Sequence, residues 1–136
     1  MNADEAYRLV VNNGKVTVEA VTEHGVYWAM QTLAQLQDVQ KKKATFNGCS
    51  IVDWPAFRIR GFMQDVGRTY MSIEELKREI AVLSRFKINV FHWHLTENQS
   101  WRLQSKIFPM LNDSVNTTRM PGKYYTLEEA KDLVAF

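Results

Sequence analysis

Two histidines and an acid occur together around the end of one short apolar segment. The segment Val90–Leu95 is almost continuously apolar apart from His92 and His94, as in a buried strand of a parallel sheet. Glu97 and further hydrogen-bonding side chains follow it within Thr96–Ser100. Ligands of α/β proteins bind at the carboxyl ends of parallel strands. The spacing therefore predicts a functional site at this strand end.

The two histidines are spaced for support of a site rather than for metal binding. His92 and His94 lie two residues apart and so face the same side of the strand. A metal would need further His, Asp or Glu ligands, which the local sequence does not supply, so we expect no metal and no cofactor. Trp93 faces the other way and is predicted to lie in the core.

Composition excludes several classes of protein. The 136 residues are 46% hydrophobic and 24% charged, with a net charge of +2, which gives no basis for binding nucleic acid or a membrane surface. The basic run Lys41–Lys43 is predicted to be a solvated loop. Cys49 is alone, which excludes an internal disulfide and a paired-cysteine site. No apolar run reaches the ~20 residues of a membrane span, and Met1–Glu5 is not a signal peptide.

The first part of the chain reads as a hairpin followed by a helix. Strands are predicted at Tyr7–Val11 and Val16–Ala20, joined by the turn Asn12–Lys15 with its Asn-Gly signal. Apolar residues then recur at helical spacing from Val26 to Leu36, with Thr22 as N-cap. We interpret this region as the end of a larger α+β domain, because it is too short for a core of its own.

A strand–helix–strand unit follows the connection that ends at Asp53–Pro55. The segment Ile59–Val66 is the first strand, and Ser72 with Glu75 forms a capping box before a helix with one apolar face. The second strand covers Ile88–Leu95. Strands at this spacing are predicted to be parallel, with a right-handed crossover.

The last part of the chain has no regular period until its final residues. The stretch Thr96–Tyr125 is longer than ordinary structureless loops, and such loops are often functional. A second capping box, Thr126–Glu129, opens a helix. Because two parallel strands do not make a stable sheet or barrel, the sequence is expected to be a piece of a longer protein.

Several ordered motifs resemble glycoside hydrolase family 20, the β-N-acetylhexosaminidases. Arg60–Arg68 resembles the family's first barrel strand, and Asn89–Arg102 resembles the second strand and its loop. Gly25–Leu36 is similar to the last helix of the small α+β domain before the barrel, and Asp53–Phe57 to the linker. Tyr124–Phe136 is similar to the start of the second barrel helix.

The resemblance implies an α/β fold: the start of a (β/α)8 TIM barrel preceded by the C-terminal part of a small α+β domain. The domains would be 1–52 and 53–136. The implied activity removes terminal N-acetylglucosamine or N-acetylgalactosamine with retention, using the sugar's own acetamido oxygen as nucleophile. The family's catalytic Asp–Glu pair lies after the fourth strand, so no catalytic residue is assigned in this chain.

The resemblance implies roles for individual residues. Arg60 matches an arginine that binds hydroxyls of the terminal sugar; its alternative is a structural ion pair. Glu97 matches an acid that orients a later histidine, or else it is a solvated loop carboxylate. Asp65 and His94 are expected to support the site, although Asp65 could equally serve the structure alone. Trp101 either lines the sugar site or, as we expect, packs in the interior.

The loop after the second strand departs from the family's usual pattern of two acids, Gln, Gly, Trp and Arg. Asn98 replaces an acid and Ser100 replaces the glycine, while Gln104 stands where an acid is common. These changes bear on fine substrate preference.

Two other classes of function compete with this one. A non-catalytic carbohydrate-binding protein would keep Arg60 and lack the chemistry. A nucleotide-binding α/β domain is disfavoured because neither strand precedes a Gly-rich phosphate loop.

The expected partner is a glycan or amino sugar, with no nucleic acid and no membrane. A fragment folding alone would cover its sheet edges by self-association or a rearranged core. The expected location is periplasmic or secreted.

Overall fold

The structure is a computed structural model that describes residues 3–37 and 45–136. The predicted solvated loop Lys41–Lys43 lies outside the described residues. The chain divides into two compact units. The N-terminal unit contains Met1–Arg60 together with Ser84–Lys87, and the C-terminal unit contains Gly61–Leu83 and Ile88–Phe136. No helix among the described residues is long and apolar enough to cross a bilayer.

The N-terminal unit is a three-stranded antiparallel sheet with one helix. Its strands are β1 (Tyr7–Asn12), β2 (Lys15–Ala20) and β3 (Cys49–Asp53), in the order β2-β1-β3, and its helix is α1 (Glu23–Gln35). The predicted hairpin is confirmed. Asn13 and Gly14 form its two-residue turn with φ of 49° and 72°, as the tight turns that match strand twist require. Thr22 caps α1 as predicted.

The core of the N-terminal unit lies between the sheet and α1. Its buried residues come from β1 and α1: Tyr7, Leu9, Trp28 and Ala29. Gly25 permits the close approach of the helix, because a Cβ there would lie 2.5 Å from the carbonyl oxygen of Ala6. A side chain at this position would therefore push α1 away from the start of β1.

The C-terminal unit contains the predicted strand–helix–strand arrangement. Strands β4 (Gly61–Asp65) and β5 (Val90–His94) pair in parallel, with Gly61 opposite Val90 and Asp65 opposite His94. The helix between them, α2, spans Ile73–Arg85 and has the predicted capping box. Both strands are shorter than the predicted Ile59–Val66 and Ile88–Leu95.

The stretch after β5 is structured, although its sequence has no regular period. It contains the short hairpin β6 (Thr96–Glu97) and β7 (Ser100–Trp101), and 3₁₀ turns at Pro109–Asn112 and Ser114–Asn116. Helix α3 (Leu127–Ala135) follows with its predicted capping box. The core of this unit is drawn from both ends of its sequence and consists of Val66, Ile73, Leu76, Tyr125 and Leu133.

Candidate functional site

The carboxyl ends of β4 and β5 lie side by side and carry polar side chains. Asp65 is the last residue of β4 and His94 the last residue of β5, and the two are opposite one another in the parallel ladder. The turn after β4 is fixed to this edge, because the N–H groups of Val66 and Gly67 both donate to the carbonyl oxygen of His94, at 3.1 and 3.2 Å. The fold therefore brings two of the predicted site residues together.

Arg68 joins these strand ends to Glu97. Its guanidinium donates through Nη1 to Asp65 and through Nη2 to Glu97 Oε1 at 2.7 Å. Its backbone N–H donates to Asp65 Oδ1 at 3.0 Å. The side chains of Asp65 and Glu97 are 19% and 24% exposed, whereas that of Arg68 is 50% exposed. Two carboxylates thus orient the guanidinium, while half of the Arg68 side-chain surface still faces solvent.

The arginine also determines the ionisation of Asp65. Partial burial of the carboxyl opposes its ionisation, but the hydrogen bonds from the Arg68 backbone and guanidinium, together with its charge, outweigh burial and lower the pKa of Asp65. Nearby His94 acts in the same direction. Asp65 is therefore an ionised hydrogen-bond acceptor at neutral pH, suited to orienting Arg68 rather than to donating a proton.

Glu97 lies on the β6–β7 hairpin and packs against the turn after β4. The close contact depends on Gly67, where an added Cβ would lie 3.0 Å from Glu97 Cβ and 3.2 Å from Asp65 Oδ1. His94 Nε2 is 3.4 Å from Glu97 Oε1, yet it is buried and forms no hydrogen bond to any described residue. The contact is therefore an approach of two polar groups without hydrogen-bond geometry.

The histidine pair does not form a metal centre. His92 is exposed, and its ring is 5.8 Å from that of His94 in an edge-on arrangement. Among residues 3–37 and 45–136 no group of three or more His, Cys, Asp or Glu residues could hold an ion.

Trp93 packs against the core as predicted, with its ring 4.7 Å from that of Tyr125. Trp101 was expected to be interior, but it is 39% exposed on β7.

Arg60 lies at the opposite end of β4, directly before the strand begins. Its guanidinium donates to the carboxylate of Glu5 and to the carbonyl oxygens of Phe57, at 2.8 Å, and Lys87. It also lies over the ring of Trp28, 5.6 Å from the centroid. The Arg60 and Glu5 side chains are only 14% and 9% exposed. This geometry matches the alternative reading of Arg60, a structural ion pair, and does not support its prediction as a sugar ligand.

Sequence models of one family match both parts of the chain. The catalytic domain of glycosyl hydrolase family 20 matches residues 57–136, and domain 2 of the same family matches residues 1–54. The chain belongs to glycosyl hydrolase family 20.

Curated relatives of this family 20 chain are β-hexosaminidases. That of Porphyromonas gingivalis is 38% identical over 146 residues, covering 98% of this chain and 19% of the relative. That of Vibrio furnissii is 33% identical over 145 residues, covering 96% of this chain and 24% of the relative. The chain thus spans about a fifth to a quarter of the length of these relatives.

Solved structures of family 20 enzymes have the same fold. A chitobiase from Flavobacterium johnsoniae matches with a TM-score of 0.83 at 36% identity, covering 97% of this chain and 20% of that one. An exo-β-N-acetylglucosaminidase from Vibrio harveyi, solved with N-acetylglucosamine, matches with a TM-score of 0.87 at 35% identity, covering 97% and 23%. The expected fold class, the start of a (β/α)8 barrel preceded by part of a small α+β domain, is confirmed.

The family 20 chain contains one candidate site residue that the sequence reasoning did not select. Arg68 follows β4, whereas Arg60 precedes it, and ligands of parallel sheets bind beyond the carboxyl ends. The sequence already contained this difference between the two ends of the strand. Asp65 and Arg68 occur at the carboxyl end of the first predicted strand, just as Glu97 occurs at the carboxyl end of the second. The roles predicted for Arg60, Asp65, His94 and Glu97 stay predictions.

Proposed function

We propose that the protein removes terminal N-acetylhexosamine residues from glycans and that this chain supplies part of the sugar-binding surface. The observation that carries the proposal is the position of Arg68. In a chain of family 20, the guanidinium of this half-exposed side chain lies beyond the carboxyl ends of two parallel strands, oriented by Asp65 and Glu97.

The chemistry of Arg68 suits a sugar hydroxyl. A guanidinium presents five N–H donors in a fixed plane, and here the two carboxylates hold that plane without enclosing it. Hydroxyl oxygens accept hydrogen bonds from such donors, and Asp65 and Glu97 offer acceptors to the hydroxyl hydrogens. The cluster can therefore bind neighbouring hydroxyls of one sugar ring through donors and acceptors together.

The reaction that we propose for the whole protein is hydrolysis with retention, assisted by the substrate. The acetamido carbonyl oxygen of the sugar attacks the anomeric carbon while the glycosidic bond breaks, and a carboxylic acid protonates the departing oxygen. Water then opens the cyclic intermediate. We assign neither the acid nor its partner to any residue of this chain, and Arg68, Asp65 and Glu97 serve to hold the sugar.

Hydrolysis of an aryl N-acetyl-β-glucosaminide tests the proposal. We expect the product of the complete reading frame that encodes this chain to release the aryl alcohol, and to leave the matching β-glucoside, which has no acetamido group, essentially uncleaved. Cleavage of both substrates at similar rates would contradict substrate assistance. Binding of N-acetylglucosamine without any hydrolysis would instead support the non-catalytic carbohydrate-binding function.

We propose a periplasmic or secreted location, which rests on the expected action of such an enzyme on glycans outside the cytoplasm. Cell fractionation of the native host with an antibody to this chain tests it. Recovery of the protein with periplasmic or culture-medium markers is the expected result, and exclusive recovery with cytoplasmic markers would contradict it.

A further inference from the structure

A second arginine of the C-terminal unit is fully buried and completely hydrogen-bonded. Arg102 has no exposed surface. Its five guanidinium N–H groups have five carbonyl acceptors at 2.7–3.2 Å: Val66, Gly67, Arg119, Met120 and Lys123. Buried polar groups are costly unless they are paired, and here each donor has one partner. The site at Arg102 is therefore matched to a guanidinium and to no other side chain.

Two of these carbonyls belong to the turn that carries Arg68. Arg102 Nε donates to Val66 O at 2.9 Å and Nη2 donates to Gly67 O at 3.2 Å. The N–H groups of the same two residues donate to the His94 carbonyl oxygen. The N–H groups and the carbonyl oxygens of both Val66 and Gly67 are thus paired. The next residue in the chain is Arg68, so Arg102 fixes the point from which that side chain extends.

The other three carbonyls belong to one segment, 119–123. Within this segment Met120 and Gly122 have left-handed backbone angles, with φ of 49° and 74°. The thioether of Met120 also accepts a hydrogen bond from the Tyr70 N–H, at 3.2 Å. The segment is therefore attached to the β4–α2 connection on both sides of Arg68, through Arg102 and through Tyr70.

We propose that Arg102 is a positioning residue for amino-sugar binding, acting through the Val66–Gly67 turn to hold Arg68 in place. The inference rests on the proposed function, because it requires Arg68 to bind the sugar. Arg102 itself has no exposed surface and does not touch the ligand. Its effect on sugar affinity should therefore depend on the presence of Arg68.

The test is a double-mutant cycle on the complete gene product with Arg102→Lys and Arg68→Ala. A lysine keeps the charge but has three donors, so at least two of the five carbonyls lose their hydrogen bond from this side chain. We expect Arg102→Lys to raise the Kd for N-acetylglucosamine and the KM for an aryl N-acetyl-β-glucosaminide about tenfold, with kcat changed less than about threefold. In the Arg68→Ala background the same change should alter Kd less than about twofold.

Two controls separate positioning from general damage to the fold. Arg78→Lys makes the same substitution at an exposed arginine of α2 and should leave Kd and the melting temperature unchanged. Guanidinium ions at millimolar concentration, added to folded Arg102→Gly, should restore part of the affinity. If Arg102→Gly does not fold, the cycle with Arg102→Lys still decides the question.

The outcomes distinguish the two claims. If the wild-type protein neither binds nor cleaves the amino sugar, the proposed function fails. If the wild type binds and Arg102→Lys lowers only the melting temperature, or raises Kd by the same factor with and without Arg68, the positioning role is overturned. A loss of affinity confined to the Arg68-containing background supports it.

Discussion

Two arginines on either side of β4 have opposite surroundings. Arg60, before the strand, lies in the N-terminal unit with a side chain that is 14% exposed, paired with the nearly buried Glu5. Arg68, after the strand, lies in the C-terminal unit and is 50% exposed, even though two carboxylates hold it. One guanidinium is enclosed by the protein and the other is presented to solvent.

Under the proposed function, the number of ionic partners does not distinguish a structural arginine from a ligand-binding one. Both side chains have carboxylate partners, and all three of these carboxylates are partly or nearly buried. The two side chains differ in how much of their surface is exposed to solvent. Arg60 also donates to two carbonyl oxygens and lies over the ring of Trp28, whereas half of the Arg68 side chain is exposed. The following predictions test this contrast from the largest expected effect to the smallest.

The largest effect is expected on stability, from Arg60→Met. Removing one member of a buried ion pair leaves the other charge without compensation, which costs roughly 3 kcal/mol. Denaturant unfolding measures the loss. Arg8→Met is the matched control, because its pair with Glu19 is 53% and 62% exposed, and we expect a change within about 0.5 kcal/mol. Equal losses in the two variants would show that Arg60 is not a structural residue.

Arg68→Ala should weaken sugar binding and leave stability almost unchanged. We expect it to weaken binding of N-acetylglucosamine by about 100-fold, since hydrogen bonds to a charged group are worth about 1.5–3 kcal/mol. The melting temperature should change little, because the side chain is half exposed. Titration calorimetry measures the affinity, with Arg78→Ala as control. An unchanged affinity would remove Arg68 from the binding site.

Gly67→Ala should have a smaller effect at the same place. The new methyl group would lie 3.0 Å from Glu97 Cβ, so Glu97 must shift by a few tenths of an ångström, at a cost of about 1 kcal/mol. We expect weaker sugar binding along with this loss. Gly61→Ala is the control, since the nearest atom to its Cβ would be Val90 Cβ at 3.8 Å. Similar effects at both glycines would argue against a specific contact with Glu97.

The smallest effect concerns pH. Arg68 lowers the pKa of Asp65 below its usual 3.8, so the carboxylate contributes stability above that value and the contribution disappears as pH falls through the lowered pKa. In Arg68→Ala, which keeps the backbone N–H donor to Asp65 and loses the guanidinium, we expect the pKa of Asp65 to rise and this part of the acid dependence to become smaller. Carboxyl NMR titration measures the pKa. An unchanged value in the variant would mean that Arg68 does not determine the ionisation of Asp65.

Local signals in the sequence predicted the elements well. The Asn13–Gly14 turn, the Thr22 cap and the capping boxes at Ser72 and Thr126 each depend on residues within four positions of one another. The strand–helix–strand order then follows from the short connections on either side of α2. These features require no knowledge of distant parts of the chain, which is why the sequence alone was sufficient.

The surroundings of the three arginines could be described only from the tertiary structure. Arg60 and Arg68 differ by which end of β4 they occupy, and this difference is already present in the sequence. Arg102 has no such signal, because its carbonyl partners come from segments 17 to 36 residues away.

A structure of the complete gene product with N-acetylglucosamine bound tests the central claim most directly. We predict that the Arg68 guanidinium lies within about 3.2 Å of hydroxyl oxygens of the sugar, still held by Asp65 and Glu97, while Arg60 remains paired with Glu5. A sugar whose hydroxyls are bound by Arg60, with Glu5 displaced and Arg68 remote from the ligand, would contradict the account.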